Sequence, residues 1–242
     1  MLKYIKMIDI TSNIREIQDR IKAAADRAGR SSSDITLIAV SKTKAPDLIE
    51  AAYLSGQRVF GENRVQEITA KFDPRPHEDI ELHMIGTLQS NKVRPAVACS
   101  DWIQSIDREK ILMTVSRAAS ELGRSLNICI EVNTSGESSK HGLSDTDELM
   151  LLAEKAMTLP GLRLRGLMTI GPLMSEGADD VRRAFISLRH MYEDVARRLA
   201  PPEWDSLSMG MSNDFELAIA EGATMVRVGT ALFGARDYGG QS

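Results

Sequence analysis

Apolar residues recur along this chain in two rhythms. The first is helical: Ile14, Ile17, Ile21 and Ala24 fall three or four positions apart, which predicts an amphipathic helix over residues 10–29, within an N-terminal segment of 1–30. From Ile35 onward a second rhythm sets in, with short β-rich runs separated by helical patterns. The runs are "ITLIAVSK" (35–42), "RVFGE" (58–62), "ELHMIG" (81–86), "DWIQSID" (101–107), "LNICIEVN" (126–133), "LRLRGLMTIG" (162–171), "SLSMGMS" (206–212) and "TMVRVGTALFG" (224–234). One intervening helix is bracketed by Pro46 at its start and Gly56 after its end, the asymmetry expected of helix termini.

Eight strand–helix units after an extra N-terminal helix predict an α/β fold, a single (β/α)8 TIM barrel filling residues 1–242, with 235–242 a short tail. An open doubly wound sheet would also alternate, but no GxGxxG follows the first strand here. The length of 242 residues can bury a large core without staples. Hydrophobic residues at 43% and charged residues at 26% are ordinary for a globular chain. Net charge is −4 with both signs mixed along the chain, which argues against a nucleic-acid surface yet leaves room for a local anion site. Cys99 and Cys129 show no metal or disulfide spacing, which suits a reducing compartment. The first residues lack a signal-peptide core, and no stretch is apolar enough to span a membrane. The expectation is a cytoplasmic protein, not membrane-bound, and a monomer, since no heptad or unpaired sheet edge demands a partner.

In such a barrel, function gathers at the carboxyl ends of the strands. That selects Lys42, Glu62 with Asn63, His83, Asn133, Met168, Ser212, and Arg227 through Thr230. Lys42 and Lys44 share one parity, so alternation does not choose between them. Lys44 falls in the turn before Pro46, whereas Lys42 is expected to end the strand and project into the mouth, where desolvation favours a neutral, nucleophilic amine. A rim lysine paired with an acid is the alternative. The loops after the last two strands read "SMGMSND" and "RVGTALFG". Gly210 and Gly229 permit close backbone approach and Ser212 and Thr230 supply hydroxyls, as an anion site requires. In "MVRVG" the valines suit the outer layer, so Arg227 points inward. An amine for the aldehyde, amides for the phosphate and a partner for the ring nitrogen are together what pyridoxal 5′-phosphate (PLP) requires.

The motifs "AVSKTK", "GENRVQE", "HMIGTLQSNK", "SKHGL", "RLRGLMTIG" and "LSMGMSNDFELAIAEGATMVRVGTALFGARDY" resemble the pyridoxal phosphate homeostasis protein family, in the family's order from Ile35 to Tyr238. The resemblance implies a barrel like the N-terminal domain of alanine racemase. It implies that Lys42 carries PLP as an internal aldimine, that Ser212, Gly229 and Thr230 hold the phosphate, and that Arg227 faces the pyridine nitrogen. Asn63 would line the same mouth. Arg64 stands where relatives often carry a tyrosine, and Lys140 in "SKHGL" is read as a solvated loop charge.

An arginine at the ring nitrogen opposes its protonation and weakens the cofactor as an electron sink. Racemisation also needs a second acid/base on the opposite face. None of Tyr4, Tyr53, Tyr192 and Tyr238 falls at a strand's carboxyl end, and His83 reads as a structural histidine inside a strand that ends at Gly86. The leading expectation is therefore a non-catalytic PLP carrier in intracellular PLP homeostasis, which delivers the cofactor to apo PLP-dependent enzymes. A weakly active PLP-dependent amino-acid racemase is the alternative. A cofactor-free sugar-phosphate enzyme ranks last, because it leaves Lys42 and Arg227 without a joint role.

Overall fold

In the computed structural model, residues 9–137, 141–172, 174 and 177–235 are described. The chain opens with helix α1 (Ile10–Arg27), whose first turn is capped by the Asp9 carboxylate accepting from the Ser12 amide at 2.9 Å. Its Ile10, Ile14, Ile17, Ile21 and Ala24 are buried, the face that the helical spacing predicted. It ends at Arg27 because Gly29 takes a left-handed φ of 67°.

Eight parallel strands then close on one another in sequence order: β1 (Thr36–Val40), β2 (Val59–Glu62), β3 (Glu81–Met84), β4 (Trp102–Ile106), β5 (Leu126–Glu131), β6 (Leu162–Met168), β7 (Ser206–Met211) and β8 (Met225–Val228). Between and after them run α2 (Pro46–Leu54), α3 (Val65–Phe72), α4 (Val93–Cys99), α5 (Glu109–Glu121), α6 (Thr146–Thr158), α7 (Ala178–Leu199), α8 (Phe215–Ala220) and α9 (Thr230–Phe233). The seam is the β1–β8 pairing, where Ile38 lies opposite Arg227.

Strand alternation sorts the core into two regions. Val226 and Val228 join the large cluster between sheet and helices. Met225 instead packs with Ile38, Trp102, Cys129 and Met168, residues of five different strands that can meet only inside the barrel. Since α9 has only four residues, α1 supplies the missing outer layer by packing on α8, α9 and α2. Asn13 donates to the Leu232 carbonyl at 2.8 Å, and Arg30 donates to the carbonyls of Ile219 at 3.0 Å and Ala223 at 2.8 Å.

Several strands are shorter than their sequence patterns. β1 stops at Val40 rather than reaching Lys42, because Thr43 adopts a φ of 61° and the backbone turns away from the sheet. β3 ends at Met84, not Gly86, and β8 ends at Val228, after which the chain winds into α9. Gly86 matters for another reason. A Cβ there would sit 2.2 Å from the Asn63 carbonyl oxygen, so only glycine lets the segment after β2 lie against the segment after β3. Gly86→Ala should therefore force the two segments apart and cost about 2 kcal/mol or more, typical of overpacking a rigid contact. Urea unfolding measures this, and an unchanged midpoint would contradict it.

Candidate functional site

The loop after β1 carries Lys42 between two anchored neighbours. The Ser41 amide donates to the Gly61 carbonyl at 3.1 Å, a last bond beyond the strand. The Ser41 hydroxyl donates to Glu62 Oε1 at 2.7 Å, and the Ser41 carbonyl accepts from Lys71 Nζ at 2.8 Å. On the other side of Lys42, the Thr43 amide donates to Glu67 Oε2 at 2.5 Å. Lys71 joins these contacts, donating to Glu62 at 2.9 Å and Glu67 at 2.7 Å. Glu62 is fully buried, and loss of water pushes its carboxyl up despite the cation beside it. The clamp thus fixes backbone on both sides of Lys42, whose side chain is half-buried.

Lys44 has a different task. Its Nζ donates to the carbonyls of Gly234 at 3.0 Å and Ala235 at 2.8 Å, strapping the first loop to the chain beyond α9. That strap lies beside the end of β7, where Gly210 within the strand has a φ of 92° and a Cβ would come within 2.6 Å of Ala218. Asp214 accepts from the Met211 amide at 2.5 Å and fixes the turn. Ser212 then offers its hydroxyl to the amides of Gly229 at 3.3 Å and Ala231 at 3.4 Å. Those bonds are long for N–H···O, so the two amides are held loosely and remain available to a stronger acceptor. Gly229 is half-buried against the Val40 carbonyl, and Thr230 is exposed at the start of α9.

Arg227 is buried inside the barrel, as its parity predicted. It donates to Ser208 Oγ at 2.6 Å and to the Thr169 carbonyl at 2.7 Å, both neutral acceptors, and forms no ion pair among the described residues. Desolvation pulls its pKa down to about 10, so it stays a cation at neutral pH. Glu131, at the end of β5, is also buried, and one of its oxygens has no partner among the described residues. Burial, with Asp107 nearby, pushes its pKa up to about 7.

The Asn63 Oδ1 is buried without a hydrogen-bond partner among the described residues, beside the clamp. Arg64 is exposed at the start of α3. Asn133 organises its own loop, donating to the Glu137 carbonyl at 2.9 Å and accepting from Ser135. Met168 is an interior packing residue. His83 lies inside the barrel, bonded through both ring nitrogens and stacked on Trp102. Tyr53 bonds Asp79 and Tyr192 bonds the Trp204 carbonyl, both near the amino ends of strands. Tyr4, Tyr238 and Lys140 lie outside the described residues. Sequence reasoning missed Ser41, Glu67, Lys71, Gln104, Ser208 and Glu131. Their signal was polar side chains at inward parity on β4, β5 and β7, and a Glu67–Lys71 pair at helical spacing.

The closed parallel eight-stranded barrel, preceded by a helix, belongs to the class of alanine racemase-type barrels. The family model "Alanine racemase, N-terminal domain" matches residues 12–237. The chain is 46% identical over 233 residues to a pyridoxal phosphate homeostasis protein of Pseudomonas aeruginosa, covering 96% of this chain and 98% of that one. It is 45% identical over 237 residues to the protein of that name in Escherichia coli, covering 96% and 99%. The chain belongs to the pyridoxal phosphate homeostasis protein family, within the alanine racemase N-terminal domain family. Among solved structures, PipY of Synechococcus elongatus with PLP bound superposes with a TM-score of 0.77 at 36% identity, covering 93% of this chain and all of that one. An alanine racemase of Streptomyces coelicolor shares the fold, with a TM-score of 0.71 at 19% identity, and this chain covers 59% of it.

Two outcomes test the electrostatics of the site. Lys71→Met leaves the buried Glu62 carboxylate without its cation and should cost on the order of 3 kcal/mol in urea unfolding, while adding Glu62→Gln should recover most of it. For Glu131, the folded chain binds a proton that the unfolded chain releases between its ordinary value of 4.5 and about 7. Stability from this group therefore falls as pH rises through that window and stays low above it. Glu131→Gln should abolish that slope and stabilise the ligand-free protein at alkaline pH by on the order of 2 kcal/mol. An identical slope in the variant would assign the titration elsewhere.

Proposed function

We propose that this protein binds PLP at the carboxyl end of the barrel and carries it as a lysine-linked cofactor, without turning over a substrate. The observation that carries this reading is the convergence along the β1–β8 seam. The half-buried Lys42 is held between clamped residues, two loosely held amides face Ser212, and Arg227 is buried against neutral acceptors only. These residues suit the cofactor. The amides of Gly229 and Ala231, with the hydroxyls of Ser212 and Thr230, would take the phosphate. Arg227 would face the ring nitrogen, and the Asn63 Oδ1 would line the same mouth. The PLP-bound PipY structure and the names of the bacterial relatives support this choice of ligand.

PLP, when bound, supplies an aldehyde that condenses reversibly with amines. Lys42 provides the amine, and one water is lost as the carbon–nitrogen bond forms. The clamp keeps the loop from swinging out, while Lys44 is committed to the carbonyls beyond α9 and serves the scaffold. Arg227 donates and does not accept, so it disfavours a proton on the ring nitrogen and leaves the bound cofactor a poor electron sink. The described tyrosines lie near the amino ends of the strands, and His83 is committed at both nitrogens, which supports carriage over racemisation. The protein would act as one cytoplasmic barrel domain, a monomer, and release the cofactor by exchange to the lysines of apo PLP-dependent enzymes.

The visible spectrum of the protein with PLP, beside Lys42→Ala and Lys44→Ala, tests the anchor. The lysine-dependent band should vanish in Lys42→Ala and persist, with lower thermal stability, in Lys44→Ala. A full band in Lys42→Ala would refute the assignment. No D- or L-amino acid should lose its chirality in the presence of the loaded protein. Catalytic racemisation abolished by Lys42→Ala would replace the carrier reading with the enzyme.

A further inference from the structure

Beneath Arg227 a row of polar side chains runs down the barrel interior. Arg227 Nη1 donates to Ser208 Oγ at 2.6 Å. The Ser208 hydroxyl donates to Gln104 Oε1 at 2.7 Å, and Gln104 Nε2 lies 2.7 Å from His83 Nδ1. His83 Nε2 in turn lies 2.7 Å from Glu81 Oε1. Ser208, Gln104 and His83 are fully buried, whereas the Glu81 side chain is 45% exposed at the amino end of β3. The row thus links a cation below the mouth to a carboxylate at the barrel floor.

Its direction is fixed at both ends. Arginine cannot accept, so Ser208 must, and the serine proton goes to the Gln104 oxygen. The Gln104 amide then donates to Nδ1, which leaves the His83 proton on Nε2, facing Glu81. Reversing the amide would put Gln104 Oε1 against Nδ1 and require a proton there. The bare Nε2 would then meet the Glu81 carboxylate, two acceptors at 2.7 Å. Desolvation lowers the His83 pKa, which keeps the ring neutral and the arrangement single-valued. Trp102 stacks on the ring at 5.1 Å and Gln104 also donates to Met225 Sδ at 3.4 Å, so neither side chain turns freely.

We propose that Gln104 is a positioning residue for Arg227, acting through Ser208, and that His83 and Glu81 hold Gln104 in the one amide orientation that allows it. This rests on the reading that Arg227 faces the ring nitrogen of bound PLP. Without the row, Arg227 keeps only the Thr169 carbonyl as an acceptor among the described residues and is free to tilt.

The test combines a ligand-free and a loaded measurement. Nitrogen NMR of the ligand-free protein should show His83 protonated on Nε2 and bare on Nδ1, and a proton on Nδ1 would overturn the proposal. With PLP bound, the wild-type absorption band should hold its position between about pH 6 and 9, because Arg227 bars ring protonation. Arg227→Leu should make the band pH-dependent. Gln104→Met should move towards that behaviour and release PLP on the order of tenfold faster, as when a charge-assisted hydrogen bond is loosened. Val195→Ala, a cavity in α7 remote from the row, controls for lost stability and should leave the band unmoved. If Arg227→Leu alters the band while Gln104→Met does not, the positioning role falls and the ring-nitrogen reading stands. If Arg227→Leu itself changes nothing, both fall.

Discussion

A guanidinium buried inside a barrel is the constraint around which the rest of this structure is arranged. Removing such a charge from water costs several kcal/mol, and the usual remedy is a carboxylate in contact. Here Arg227 has a hydroxyl and a carbonyl instead, with Glu131 near enough to feel its field. A contacting carboxylate would cancel the cation. Neutral acceptors leave its charge uncancelled and hold it oriented, at the expense of stability.

Barrel closure gathers other polar groups around that buried charge. Pairing β1 with β8 brings Ile38 opposite Arg227, so the Lys42 loop, the Ser212 turn and the start of α9 meet at one rim. The loop would be the weak part, because a lysine on a free turn samples many directions. The Glu62–Lys71–Glu67 cluster removes that freedom, and α1 braces α8 and α9 from outside. Backbone, rather than side-chain contact with the lysine, is what the clamp holds.

How much of this was legible beforehand depended on the range of the interaction. Periodicity is local, so the eight alternating units and the buried face of α1 could be read directly, as could the inward parity of Arg227. The end of β1 could not. It is set by a left-handed φ at Thr43, an unusual choice for a β-branched residue, and a tertiary bond from the Thr43 amide to Glu67 holds it there. The clamp was invisible for the same reason: Ser41, Glu62 and Lys71 come from three separate segments, and no spacing joins them. His83 was read correctly as structural, but its partners required the barrel to bring β3 and β4 side by side.

The seam has a consequence for how the protein comes into being. Lys42 is synthesised first, and Ser212, Arg227 and Gly229 follow 170, 185 and 187 residues later. Until β8 docks against β1, the Lys42 loop has neither Arg227 nor the start of α9 across the seam. A chain that has not yet made β8 therefore holds the Lys42 loop without the rest of the rim. The rim assembles all at once with β8, so the geometry of closure reports that the eighth strand has been made.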